Sequence, residues 1–471
     1  MQRQTWSSTL TYILTVAGAT IGFGATWRFP YLVGENGGGA YVLVFCVAMI
    51  LIGIPVILAE NVIGRKSMTN SVDAFKGKWK FVGYMGLLGS FGIMAYYMVL
   101  GGWVFVYIFE LIIGNFNLSH TITKDFTEYF FNEKISFNPL GVGIFTTLFV
   151  LINYIILRRG IIDGIEKSVK FLMPLLFICL ILVVGRNLSL EGAINGVKFY
   201  LTPDFDKILS PKLLIDVLGQ VFFALSLGFG VMITLSSHLS KNENMAKTAI
   251  YTGVLNTLIA VLAGFMIFPA LFAAGLEPDK GPSLVFQTLP IAFSHIHFGT
   301  IICILFFILL LIAALTTSLP IYQVIISVLE EKFKLSKKTA INLTLGSIFI
   351  LGNIPCILTY GPWRDITLIK GKNIFDSFDF ISGNILFVLT AFFCCIYVGW
   401  VLGKEQSIKE LSNEGKLKSM GFKIWFYYIK FIIPLIIFAI FIYGICRRKN
   451  KMSQKKNKMS YFCDKLSFFQ P

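Results

Sequence analysis

Charge is what this chain has least of: 14% of its 471 residues are Asp, Glu, Lys or Arg, whereas a soluble domain carries about 25% to keep its surface wet. That scarcity excludes an ordinary water-soluble globule. Histidine is scarcer still, with four residues, His120, His238, His295 and His297, all in or near polar stretches. The carboxylates Glu60 and Glu110 lie near the ends of apolar runs, so no acid, base or ligand cluster converges at one depth, as a membrane-embedded enzyme would need. The cysteines include no CxxC pair, and Cys46, Cys179, Cys303, Cys394 and Cys395 sit inside apolar runs, which leaves metal and dithiol chemistry without a ligand set. A cleavable export signal is missing too: a single Arg3 precedes a first apolar run broken by glycine, which reads as a retained helix. Acidic residues are outnumbered, 25 against 41 basic, giving a net charge of +16. The basic residues sit between apolar runs and form no stripe with stacking aromatics, so they read as loop charge beside a membrane and not as a nucleic-acid footprint.

What the sequence has in abundance is hydrophobic residues, 56% of the total. A bilayer core takes about 20 apolar residues per helix. Eleven such runs occur, near 8 to 32, 39 to 63, 82 to 113, 140 to 157, 168 to 185, 213 to 237, 246 to 275, 298 to 329, 339 to 356, 380 to 402 and 424 to 446. The expected fold class is therefore all-α integral membrane, with eleven transmembrane helices in one domain over 1–446, lipid around it, and a basic tail over 447–471. With the N-terminus inside, the inner loops collect Arg65, Lys66, Arg158, Arg159, Lys337 and Lys338 among others, and the outer loops hold about half as many basic residues, as the positive-inside rule requires. The expected location is the cell inner (plasma) membrane, multi-pass, with a cytoplasmic N-terminus. The basic tail from Arg447 departs from that rule, because eleven crossings put it outside.

Two runs carry the same small motif at corresponding places: GFG at Gly22, Phe23 and Gly24 in the first, and GFG at Gly228, Phe229 and Gly230 in the sixth. Glycine lets a backbone leave helical geometry, and irregular backbone at membrane depth survives only where it lines a protein-buried or watery cavity. Gly-interrupted segments in corresponding positions of two halves mark a transporter's midplane site. They divide ten helices into repeat one (about 8–185) and repeat two (about 213–402), with an extra helix at about 424–446. Such breaks free backbone amides for a carboxylate and carbonyls for an alkali cation or an ammonium. A zwitterion fits a site of that kind.

At this point a resemblance becomes specific. WSSTLTYILTVAGATIGFGATWRFPYLVGENGGGAYVL from Trp6 to Leu43, FFALSLGFG in the sixth run, ALTTSLPIYQ in the eighth and FDFISGN in the tenth are similar to motifs of the neurotransmitter:sodium symporter family, whose bacterial members carry amino acids on the LeuT fold. The likeness covers roughly residues 3 to 400. It implies a 5+5 inverted repeat with broken helices 1 and 6 and a sodium-coupled symporter that imports an amino acid by alternating access. It implies Na+ at the family's second sodium site, on the carbonyls of Gly18, Ile21 and Ala313 and the hydroxyls of Thr316 and Thr317. It also implies an amino-acid pocket of Phe23, Gly24, Ile93, Tyr97, Phe223, Ser226, Phe229, Thr317 and Ile321, with the Tyr97 hydroxyl donating to the substrate carboxylate. Monoamine carriers of the family have an aspartate where Gly22 stands, so the glycine favours a substrate that brings its own carboxylate. The pocket's Phe, Ile and Tyr favour a neutral, partly apolar side chain. The outer gate would be Arg28 with Asp379 above Tyr97 and Phe229; the inner gate would be Arg3 with Glu331, helped by Trp6 and Ser237.

The chain also departs from the family. The first sodium site uses an asparagine and a threonine where this sequence has Ala25 and Ala224, leaving Asn256 as a possible ligand. The chloride site of animal members loses its tyrosine to Phe45 and has Ala260 in place of a serine or acid, with Gln220 retained. The expectation is one sodium and no chloride requirement. Two alternatives remain at this level: a transport-incompetent amino-acid sensor of the same fold, and a membrane-embedded enzyme.

Overall fold

In a chain this apolar the helices cannot sort by one polar face, so burial is decided by position in the bundle. The computed structural model describes residues 5–278, 283–369, 371–439 and 441. Its principal helices are α1 (Thr9–Thr20), α2 (Phe29–Glu35), α3 (Gly39–Ser67), α4 (Gly77–Ile112), α5 (Pro139–Gly160), α6 (Lys167–Leu188), α7 (Pro211–Ala224), α8 (Val231–Ser236), α9 (Met245–Ala273), α10 (Leu284–Ser294), α11 (Gly299–Glu331), α12 (Lys337–Leu358), α13 (Ile374–Leu411) and α14 (Gly421–Ala439). A two-stranded hairpin, Thr367–Ile369 with Lys372–Asn373, precedes α13.

α11 is the central post. Its 33 residues carry charge only at the C-terminal end, Glu330 and Glu331, and make a rod of about 50 Å at 1.5 Å per residue. It packs along α4, α6 and α1 and meets α5 and α8. In the most apolar stretch of α4, 83% of the residues are buried, against 28% in α14. The difference places α4 inside and α14 at the rim, where Ile424, Phe431, Leu435 and Phe438 are exposed. Further exposed apolar side chains, Ile50, Leu51, Ile144, Ile350, Leu351 and Trp400, clothe the rest of the periphery. Water would not tolerate that surface; lipid tails match it.

Among the described residues, eight helical stretches are long and apolar enough to cross a bilayer, and nine if the bent pair α1–α2 counts as one crossing. The expected eleven differs for a physical reason. Pro139–Leu188 runs as 50 helical residues, about 75 Å, more than twice a bilayer core of about 30 Å; its division into α5 and α6 rests on Gly160, whose φ is +91°. α7 and α8, read from the sequence as one crossing, are each too short alone at 14 and 6 residues. The basic tail and Arg3 lie outside the described residues.

Two interruptions organise the interior. α1 ends at Thr20, and the segment Gly24–Glu35, a widened turn Gly24–Arg28 running into α2, leaves at 65°. α7 ends at Ala224 and α8 begins at Val231; between them Ser226, Gly228 and Gly230 have φ of 50°, 79° and 77°. A Cβ at Gly228 would run into the Phe387 backbone. Glycine is therefore required there twice over, by conformation and by space.

Candidate functional site

The two interruptions face each other across α4 and α11. Thr20, Gly22, Phe23, Gly24, Ile93, Tyr97, Phe223, Ser226, Phe229 and Thr317 line a small interior cavity of about 10 Å³. Eight of the nine residues expected in the pocket stand on this wall; Ile321 is fully buried but does not line it. One turn along α11 from Thr317, its side chain packs in the core instead. Thr20 and Gly22, not counted in the sequence-based pocket, are on the wall.

The lining is held from outside. The Phe23 amide donates to the Tyr97 hydroxyl at 3.5 Å, and their rings lie 4.9 Å apart. Ser226 Oγ donates to the Ala19 carbonyl at 3.0 Å, tying one break to the other, and Ser90 Oγ donates to the Phe229 carbonyl at 2.7 Å. The Phe229 ring is pinned against Phe387. Glu60, fully buried in α3, accepts the Gly228 amide at 2.7 Å. It braces the second break, a role its place near the end of an apolar run did not reveal, although a lone carboxylate at such depth demands a partner.

Gly22 is the tightest point. A Cβ there would crowd the Tyr97 hydroxyl and lie 2.7 Å from Thr317 Oγ1. Gly22→Ala is expected to weaken substrate binding by about 5- to 150-fold, corresponding to an overpacking cost of about 1–3 kcal/mol; equilibrium binding of a radiolabelled substrate measures it. Gly24 is closed in the same way by the Phe223 ring, 2.6 Å from a built Cβ.

Beside the cavity, Thr317 Oγ1 donates to the Gly18 carbonyl at 2.9 Å, and Thr316 Oγ1 donates to the Ala313 carbonyl at 3.1 Å. One pair of the groups expected around sodium, Thr317 with Gly18, thus meets where α1 crosses α11; the Thr316 bond to Ala313 lies within α11, and Ile21 caps the C-terminal end of α1 in the same break. Hydroxyls and helix-end carbonyls are hard oxygen donors suited to an alkali cation. Of the groups considered for another ion, Asn256 turns its amide nitrogen toward the Thr20 and Ala224 carbonyls, Gln220 Nε2 donates to the Gly24 carbonyl at 2.6 Å, and Phe45 packs on Phe29 with ring centres 4.7 Å apart.

The gates are placed differently from expectation. The Arg28 guanidinium lies over the Phe223 ring, 4.6 Å from its centre, bonds to Tyr31, and feels the Asp379 charge. Asp379 itself accepts from the Tyr96 hydroxyl at 2.8 Å; among the described residues the two make no direct ion pair, because each is already engaged by an aromatic side chain. On the other side Glu331 accepts the Asn70 amide at 2.7 Å, and Trp6 Nε1 donates to the Leu235 carbonyl at 3.0 Å. The strongest polar knot at this end was read from the sequence as loop charge. Arg65, fully buried, reaches Glu410 at 2.7 Å, the Glu243 carbonyl at 2.6 Å and Asn413 at 2.9 Å, while Lys241 meets Glu410 at 2.9 Å.

Comparison with known proteins decides what such a site belongs to. The model of the sodium:neurotransmitter symporter family matches residues 3–136 and 115–465. The chain belongs to the sodium:neurotransmitter symporter family. A sodium-dependent transporter of Haemophilus influenzae, itself uncharacterized, is 62% identical over 452 residues, covering 94% of this chain and 98% of that protein. A second uncharacterized sodium-dependent transporter, from Bacillus subtilis, is 36% identical over 93% of this chain and 96% of its own length. Among solved structures, MhsT in complex with L-phenylalanine matches with a TM-score of 0.85 at 37% identity, over 94% of this chain and 99% of that one. As a member of this symporter family the chain is a multi-pass membrane transporter of the LeuT fold, with sodium as its co-transported ion, and not an enzyme.

Proposed function

We propose that this symporter imports a neutral, partly apolar amino acid across the cell inner (plasma) membrane by alternating access, with one sodium at the Gly18–Thr317 crossing and no chloride requirement. The observation that carries the reading is the set of side chains and broken-helix backbone that meet around a nearly filled space of about 10 Å³ between the two helix breaks. In this closed form the space is about that of one water, so its walls have to part before an amino acid enters. Amides of the broken first helix and the Tyr97 hydroxyl offer donors to a carboxylate, and the Ile93, Phe223 and Phe229 faces offer an apolar seat. MhsT is recorded with L-phenylalanine, in keeping with a side chain of this character.

In this reading the chain crosses the membrane eleven times, ten of them as the 5+5 inverted repeat, and starts in the cytoplasm. Arg28 and Asp379 approach above the cavity when substrate binds, and Arg3 with Glu331 closes the inner side. The chloride proposal rests on Phe45, which offers a ring where an anion needs a hydroxyl donor, and on the Gln220 amide being already committed to Gly24.

The test is uptake of labelled neutral amino acids into proteoliposomes under an inward sodium gradient, with sodium replaced by potassium and with chloride replaced by gluconate. Uptake that needs sodium and ignores chloride is expected. Substrate binding without accumulation under any gradient would contradict symport and turn the reading to a sensor.

A further inference from the structure

α1 and α7 each stop inside the protein, and a stopped helix leaves its last carbonyls without intrahelical donors. Those of Thr20 and Ala224 converge on one group. The side-chain amide of Asn256, from the middle of α9, donates to the Thr20 carbonyl at 3.1 Å and to the Ala224 carbonyl at 3.0 Å. Asn256 is fully buried, and among the described residues its Oδ1 has no hydrogen-bond partner. The side chain is therefore anchored entirely through its two N–H groups, one to each helix end. Reversing the amide would aim three oxygen dipoles at one point, an arrangement that only a cation relieves.

Two carbonyls at the ends of two helices, each carrying the negative end of a helix dipole, otherwise attract a positive ion. To hold one, the surrounding side chains must complete its coordination with oxygen. Here Ala224 and Ala25 offer only fully buried methyls, and the Thr20 hydroxyl is turned to the Ala17 carbonyl at 2.8 Å.

We propose that the Asn256 amide is a built-in neutral substitute for a cation: a positioning residue that ties the broken ends of α1 and α7 together so that the substrate cavity keeps its shape with no ion at this point. The proposal rests on the one-sodium reading above and explains how the chain dispenses with a second ion. Its consequence for binding is that the substrate carboxylate meets backbone amides and Tyr97 with no metal charge beside it, so sodium affects substrate affinity through the Gly18–Thr317 crossing alone.

The test uses the purified full-length protein, with equilibrium binding of radioactive sodium and a sodium titration of amino-acid binding. The wild type is expected to hold one sodium and to show a Hill coefficient near one. Asn256→Asp keeps the shape but exchanges the donor for a carboxylate, converting the two carbonyls into an anionic oxygen cage. It is expected to bind a second sodium and to steepen the sodium dependence toward a Hill coefficient of two. Asn256→Ala removes the tie and offers no ligand: substrate affinity is expected to fall by about tenfold or more, with one sodium still bound and no recovery at high sodium. Two sodium ions on the wild type would overturn the one-sodium reading itself. One ion on the wild type with an unchanged ion count and slope in Asn256→Asp, or loss of the ion in Asn256→Ala, would leave that reading standing and overturn the substitution proposal. If Asn256→Asp does not fold, the Asn256→Ala ion count decides alone.

Discussion

Thr317→Ala is expected to bring sodium-driven uptake close to background while leaving the protein folded. The side chain is small and its contribution is one hydroxyl, so the cavity created is minor. That hydroxyl, however, is the group that joins α11 to the Gly18 carbonyl of the broken first helix, and it stands on the wall of the interior cavity proposed for the substrate. Removing it strands a buried carbonyl, worth about 1–3 kcal/mol, and withdraws a hard oxygen from a cation that has few to spare. The apparent sodium affinity should fall by about 5- to 150-fold, since each 1.4 kcal/mol is tenfold, and uptake at ordinary sodium should fall with it. Thr317→Ser keeps the hydroxyl and should retain most of the uptake. Thr316→Ala should be the milder alanine variant, because its hydroxyl bonds within its own helix, to Ile312 and Ala313 at 3.1 Å each. Sodium titration of initial uptake rates for the three variants checks the order.

Arg65→Ala is expected to have the largest effect on stability. The guanidinium is fully buried and joins the end of α3 to the Gly403–Leu411 segment of α13 through Glu410, and to the segment before α9 through the Glu243 carbonyl. Truncation leaves Glu410, 11% exposed, with Lys241 as its remaining cation. Breaking a buried pair of this kind costs about 3–5 kcal/mol; the surviving Lys241 contact puts the expectation at the lower end. Arg65→Lys keeps the charge but not the planar fork that reaches several acceptors at once, and should lie between wild type and Ala. By contrast, breaking the exposed Lys124–Glu128 pair, at 3.9 Å, should be almost silent. Thermal unfolding in detergent ranks the variants. Because the knot ties together elements beside the expected inner gate, labelling of an engineered cysteine from the inner face should also rise in Arg65→Ala.

Different parts of this picture were legible in the sequence for different reasons. The interruptions were visible because glycine pairs inside apolar runs have few other uses, and Gly228 shows why, with φ of 79° and backbone against it. The pocket wall was visible through the family motifs, which carry eight lining residues in order. Ile321 came from the same resemblance, which sets it one turn from Thr317 without fixing which way its side chain turns, and here it is buried off the wall. The number of crossings was harder, since apolar runs show where a helix fits a bilayer but not that Pro139–Leu188 continues helically through its middle. Arg65 and Glu60 were hidden by their surroundings in sequence. A basic residue after an apolar run reads as loop charge and a carboxylate at a run's end as solvated, and only the packing of α13 and the α7–α8 break against α3 reveals their partners. Asn256 was seen as an oxygen ligand; its donor role depends on two carbonyls that no sequence pattern brings together.

The account turns on ion-coupled concentration of substrate, and the accumulation ratio at steady state tests it most directly. Proteoliposomes are given a tenfold inward sodium gradient with the membrane potential clamped at zero, and the final ratio of internal to external amino acid is measured. Coupling to one sodium predicts a ratio of about tenfold, because the sodium gradient then supplies about 1.4 kcal/mol. A ratio near a hundredfold would contradict the one-sodium account, and a ratio of one would contradict coupled transport altogether.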